Sequence, residues 1–120
     1  MENAMQIREA LIDIPVTDGP QAWDFYTRLF GRSWDAQPTL SCCAWQVRPD
    51  TWVQVMTDMP ATRPTGFALV VADLASEQDR LAQAGITCGE VTVYPGFVQY
   101  CDVTDPEGTV ISLVEHLGGA

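Results

Sequence analysis

The 120-residue chain has no lysine, a single histidine and no long apolar run. Its six basic residues are all arginines, set against 16 acidic residues for a net charge of −10. A field of that sign repels phosphate backbones, and no basic stripe offsets it, which argues against a nucleic-acid partner. No stretch approaches the ~20 apolar residues of a membrane span. The opening MENAMQIREA has no signal-peptide core. The expectation is a cytoplasmic protein with no membrane partner. One histidine, His116, excludes a metal site that needs two imidazoles. The four cysteines, Cys42, Cys43, Cys88 and Cys101, match no zinc spacing, and a reducing compartment disfavours disulfides. The vicinal pair Cys42 and Cys43 reads as two strand thiols, with a redox device as the alternative.

What is present is a globular composition, 47% apolar and 18% charged, in a chain long enough to bury a core without staples. Helical and alternating patterns both occur, so the class is α+β. Residues 7–16 alternate as a strand, with Ile12, Ile14 and Val16 on one face and Leu11, Asp13 and Pro15 on the other. Asp18 is placed to cap a helix that has Pro20 in its first turn. That helix carries Ala22, Phe25, Tyr26, Leu29 and Phe30 on one stripe and stops at Gly31. The aromatic stripe reads as core, and Trp23 is expected on the exposed side of the helix or at a subunit contact.

Residues 40–48 and 51–57 read as strands around an Arg48-Pro49-Asp50 turn, and 58–65 as a polar connector. The order then repeats. A strand spans 66–71, and Asp73 caps a helix with Leu74, Leu81 and Ala84 that is stopped by Gly85. Strands follow near 86–93, at 97–103 and at 109–115, the last two around Thr104-Asp105-Pro106-Glu107-Gly108. ALIDIPVTD and TGFALVVAD each end a strand at a capping aspartate, 55 residues apart. WQVRPDTWVQV and CDVTDPEGTVISL each run strand, proline turn, strand. A repeated βαββ-type unit follows, the second copy completing a sheet that the first cannot close.

On these residues the chain resembles the vicinal-oxygen-chelate (glyoxalase/bleomycin-resistance/dioxygenase) superfamily. IPVTDGPQAWDFYTRLFG looks like its opening module, GFALVVADLASEQDRLAQAG like the second module's strand and helix, and VTDPEGTVISLVE like its closing hairpin. The wording is most similar to the bacterial branch related to lactoylglutathione lyase. The resemblance implies one domain over residues 1–120. It would consist of two tandem βαβββ modules, 5–58 and 65–117, whose sheets curl into a cup that holds either a metal with substrate or a sequestered small molecule. Fold alone does not choose between these.

In metal-using members of that superfamily four strands each supply a ligand. The matching positions here are Leu11, seven residues before Asp18, and Gly66, seven before Asp73, together with Gln54 and Ser112. Leucine and glycine offer no donor, and neutral glutamine and serine bind divalent ions poorly. The expectation is therefore no metal and no cofactor. If alternation holds, Leu11, Asp13, Trp52, Gln54, Ala68, Val110, Ser112 and Val114 look into the cup. Gly66 and Tyr100 complete the candidate ligand-binding set. Trp52 offers a flat surface for a planar ligand, or simply fills space.

Asp13 is the candidate catalytic residue. A carboxylate within an apolar cup needs a reason. It would hold a cationic ligand, act as a general base, or pair with an arginine such as Arg48, and a register slip would return it to solvent. Three functions stay open. One is a binder of a small hydrophobic or aromatic molecule. Another is a metal-independent isomerase, lyase or hydrolase using Asp13 with Gln54, Ser112 or Tyr100. The third is an assembly partner. A homodimer is the expected oligomer.

Overall fold

The computed structural model describes residues 7–58 and 66–118. The first module runs β1 (Ala10–Pro15), α1 (Gly19–Phe30), β2 (Ala36–Thr39), β3 (Cys42–Arg48) and β4 (Thr51–Met56). The second repeats the order with β5 (Gly66–Val70), α2 (Leu74–Gln83), β6 (Thr92–Tyr94), β7 (Val98–Thr104) and β8 (Val110–His116). Each module forms its own four-stranded sheet, β1-β4-β3-β2 and β5-β8-β7-β6. The hairpins pair antiparallel. The helical crossover makes β1 parallel to β4 and β5 parallel to β8. The fold is α+β as expected, and the two sheets are not joined edge to edge by hydrogen bonds.

Local chemistry sets the helices. Asp18 accepts from the Gln21 N–H and Asp73 from the Ser76 N–H, so both predicted caps form. Gly31 ends α1 at φ 77°, where a side chain would be strained, and its N–H returns to the Thr27 carbonyl. The apolar stripe of α1 (Ala22, Phe25, Tyr26, Leu29) is buried on Ile14, Cys43, Trp45, Val53 and Val55. Leu74 and Leu81 of α2 belong to the same cluster as Cys101, Val103, Ile111 and Leu113.

The core is therefore continuous across both modules. Arg80 of α2 donates to the Leu29 carbonyl, and Arg28 of α1 donates to the Ala84 carbonyl at 3.3 Å. The Tyr26 hydroxyl donates to Asp105 at 3.0 Å.

Three expectations need correction, and one element had no range. Trp23 is not on an exposed face: it packs against the core and donates its Nε1–H to the Val55 carbonyl at 2.9 Å. Gly19 makes room for it, because a Cβ there would lie 2.8 Å from the Trp23 ring. The strand near 86–93 shrinks to Thr92–Tyr94, since Ile86 bonds back to Leu81 and Gly89 donates to the Asp102 carbonyl outside any ladder. The third strand that the βαβββ resemblance implies for the first module is the short β2, with Pro38 inside it, for which the residue patterns gave no range. A proline is tolerated there because β2 is an edge strand. Finally, residues 7–9 lie outside β1. Of the expected connector 58–65, all but Asp58 lies outside the described residues.

Candidate functional site

Alternation leaves each sheet one face that the helices do not cover. On the first sheet that face carries Leu11 and Asp13 of β1, Trp52, Gln54 and Met56 of β4, and Ala44 of β3. Leu11 stands opposite Trp52, Asp13 opposite Gln54, and Gln54 opposite Ala44. On the second sheet Gly66 stands opposite Val110, Ala68 opposite Ser112, Ser112 opposite Asp102, and Val114 opposite Tyr100. The two registers superimpose: Asp13, Gln54 and Ala44 form one row, and Ala68, Ser112 and Asp102 form its counterpart. Each row holds one carboxylate and one neutral donor, with the carboxylate moved from the first strand of its module to the third.

Both carboxylates are engaged. Gln54 Nε2 donates to Asp13 Oδ1 at 2.8 Å, and the Ser112 hydroxyl donates to Asp102 Oδ1 at 2.6 Å. Asp13 is exposed and its partner is Gln54, so of the readings open for it the pairing with Arg48 does not form. Being exposed, Asp13 does not carry the burial cost that made it conspicuous in the sequence. Asp102 and Tyr94 were missed. Asp102 sits between buried Cys101 and Val103, so alternation alone could have assigned it to this face. Tyr94 stacks on Tyr100, ring centroids 6.3 Å apart and planes at 15°.

The surface beside these polar rows is apolar and open. Leu11 is 56% exposed, Val70 63% and Val110 39%, which is more uncovered aliphatic area than a closed cup would leave. Thiol chemistry is disfavoured here. Burial, then the charges of Asp58 and Asp13, push the Cys42 thiol up, and burial beside Cys42 lifts Cys43 to about 11. Both stay protonated, poorly nucleophilic thiols at neutral pH.

The four positions that would hold a divalent ion do not fit one. Leu11 and Gly66 supply no donor, and Gln54 and Ser112 already serve Asp13 and Asp102. A Cβ at Gly66 would stand 2.9 Å from the Val110 carbonyl oxygen, so no imidazole fits at that position without moving the strand. Among the described residues no cluster of three or more His, Cys, Asp or Glu side chains is placed to hold a metal.

A cavity of drug-sized volume lies elsewhere. It occupies about 1000 Å³ between the free edges of β1 and β5, and of the expected ligand-binding residues only Ala68 lines it. The candidate set is thus brought onto the helix-free faces, with Asp13 touching Gln54, but it is not gathered around a single hollow.

No family model matches this sequence, and no curated protein matches it. Solved structures do match. A glyoxalase/bleomycin resistance protein from Catenulispora acidiphila superimposes with a TM-score of 0.81 at 20% identity, over 89% of this chain and 96% of that one. An antibiotic binding protein from a Streptomyces species gives 0.75 at 23% identity, over 95% and 98%. A glyoxalase/bleomycin resistance protein from a Streptomyces species gives 0.69 at 26% identity, over 88% and 97%. The chain has the fold of these glyoxalase/bleomycin resistance proteins, as its opening and closing motifs implied.

Proposed function

We propose, taking the glyoxalase/bleomycin-resistance fold as the premise, that this is a metal-independent cytoplasmic protein that binds a small hydrophobic or aromatic molecule on the helix-free faces of its sheets. One observation carries the reading. Where metal-using relatives of this fold place ligands, this chain has a leucine, a glycine and two neutral side chains hydrogen-bonded to carboxylates. What remains is an apolar surface with Trp52 and a few polar groups, which suits a planar guest. A solved structure of this fold is an antibiotic binding protein from Streptomyces, which supports small-molecule binding as the role.

A homodimer completes the site in this proposal. The exposed Leu11, Val70 and Val110 need a cover. The radius of gyration of 15.4 Å also exceeds the roughly 13.6 Å of a compact chain of this length. Symmetric pairing is the commonest way to cover such a face.

The experiment is a tryptophan-fluorescence titration against a panel of planar aromatic compounds, with recovery of the compound afterwards. Saturable quenching that is lost in Trp52→Ala, with the compound chemically unchanged, supports a binder. Conversion of the compound that ceases in Asp13→Asn replaces it with the enzyme reading. The exposure of Asp13 and its contact with Gln54 favour that second reading, since a reachable, oriented carboxylate can take a proton.

A further inference from the structure

The cavity between the two sheets contrasts in charge with the chain's net −10. Its walls are Ile12 and Val47 on the first sheet, Leu69 and Val70 on the second, and Phe30 at the end of α1. Among the described residues no acidic side chain lines it, although the chain carries 16. Two smaller cavities that include an arginine, Arg28 and Arg80, each include a carboxylate as well, Asp102 and Glu77. Here there are two arginines, Arg32 and Arg48. Arg32 is held by Asp35 at 2.9 Å and by the Gln46 carbonyl. Among the described residues the Arg48 guanidinium takes part in no ion pair.

The main chain adds donors. In a parallel ladder the N–H and C=O of one residue point to the same neighbour, and those of the next residue point away. Ala10 donates to Asp50 and Val16 to Met56, so Leu11 and Asp13 turn their main-chain groups to the free edge of β1. Val71 donates to Val114, so Ala68 and Val70, both lining the cavity, turn theirs to the free edge of β5.

We propose that this seam is a second ligand site, for a small monoanion with an apolar body. Its carboxylate or sulfonate pairs with Arg48 and its hydrocarbon lies along Ile12, Val47 and Leu69. About 1000 Å³ accommodates a drug-sized guest. The acidic protein repels anions at long range, so recognition depends on a local unpaired guanidinium acting within a Debye length. The ligand differs in charge preference from the guest on the helix-free faces, and the two sites meet only at Ala68 and Val70.

The probe is dodecanoate below its micellar concentration, titrated calorimetrically into the full chain beside dodecanol and dodecyltrimethylammonium. The expected result is one dodecanoate per chain, bound at least tenfold more tightly than either comparator. Arg48→Gln weakens it about tenfold, the effect of losing one charge-assisted hydrogen bond. Val70→Glu, at a position 63% exposed in the free chain, abolishes binding without unfolding the protein. Trp52→Ala leaves dodecanoate binding intact, which separates failure of this site from failure of the aromatic one. Equal affinity for all three amphiphiles overturns the proposal, as does an unaffected Arg48→Gln. Loss in Trp52→Ala but not in Arg48→Gln moves the anion to the helix-free face and also overturns it. A dimer that binds no dodecanoate means that a second copy fills the seam, and the anion site is then rejected.

Discussion

Glu107, in the turn before β8, holds its carboxylate on the main-chain N–H of Thr17 at 2.8 and 2.9 Å, across 90 residues of sequence. The same carboxylate accepts from the Asp18 N–H at 2.9 Å and from the Thr17 hydroxyl at 3.0 Å. It thereby fixes the start of α1 to the closing hairpin of the second module. Asp105 braces that hairpin from within, accepting from the N–H groups of Glu107 and Thr109 and from the Tyr26 hydroxyl. Burial and the neighbouring charges of Asp105 and Glu107 push the Tyr26 phenol far up, so it remains the donor.

Stability should therefore depend on pH through Glu107. Burial pushes its carboxyl up, but the hydrogen bonds from Asp18 and Thr17 outweigh that and hold it below its ordinary 4.5. A carboxyl lowered by folding stabilises the protein fully above its unfolded value and loses that contribution as pH falls through the folded one. Glu107→Gln should cost about 1–2 kcal/mol at pH 7. Melting curves of both proteins should converge as pH drops from 5 towards 3, whereas a constant gap would deny the role of the charge.

The two tryptophans of β3 and β4 should separate stability from binding. Trp45 is fully buried between Tyr26, Phe30 and Trp34, with its Nε1–H on the Arg32 carbonyl at 3.0 Å. Trp45→Ala should cost about 3–5 kcal/mol. Trp52→Ala, on the half-exposed face, should cost far less and abolish quenching by planar ligands. Denaturant unfolding and fluorescence titration of both variants check this pair of outcomes.

The strand thiols should be inert. With Cys42 pushed up and Cys43 lifted to about 11, iodoacetamide should leave both unlabelled in the native protein at pH 7.5 and label them after denaturation. Burial beside Cys88 likewise lifts Cys101 to about 11. Rapid native labelling of Cys42 or Cys43, read by peptide mass mapping, would point to a redox role for the vicinal pair.

Much of the scaffold was legible because its signals are local. Asp18, Asp73 and Gly31 announce helix ends through the chemistry of unpaired N–H and C=O groups, and the alternation of Leu11, Asp13, Trp52, Gln54 and Ser112 fixes their face. Trp23 misled because its burial depends on a missing Cβ four residues earlier, at Gly19. Pro38 disguised β2, since a proline reads as a breaker unless the strand is known to lie at an edge. The seam was not legible at all. Ile12, Arg48 and Leu69 belong to three strands in two separate sheets, and no periodicity encodes which residues of different modules meet.

Asp13 decides between the binder and the enzyme. Asp13→Asn keeps the volume and a hydrogen-bonding group beside Gln54, so stability should change by less than about 1 kcal/mol. Binding of a neutral aromatic compound should be unchanged within twofold, by fluorescence titration. A cationic compound should lose affinity several-fold.

The most direct test of the central claim is the metal content of the purified, untagged protein after dialysis against zinc, nickel, manganese and iron(II). A donor set of Leu11, Gln54, Gly66 and Ser112 predicts near-zero occupancy for every ion, and ligand quenching that is indifferent to a chelator. Close to one ion per chain, with quenching that requires it, would contradict the metal-independent reading and make the Asp13 and Asp102 rows the first places to look for ligands.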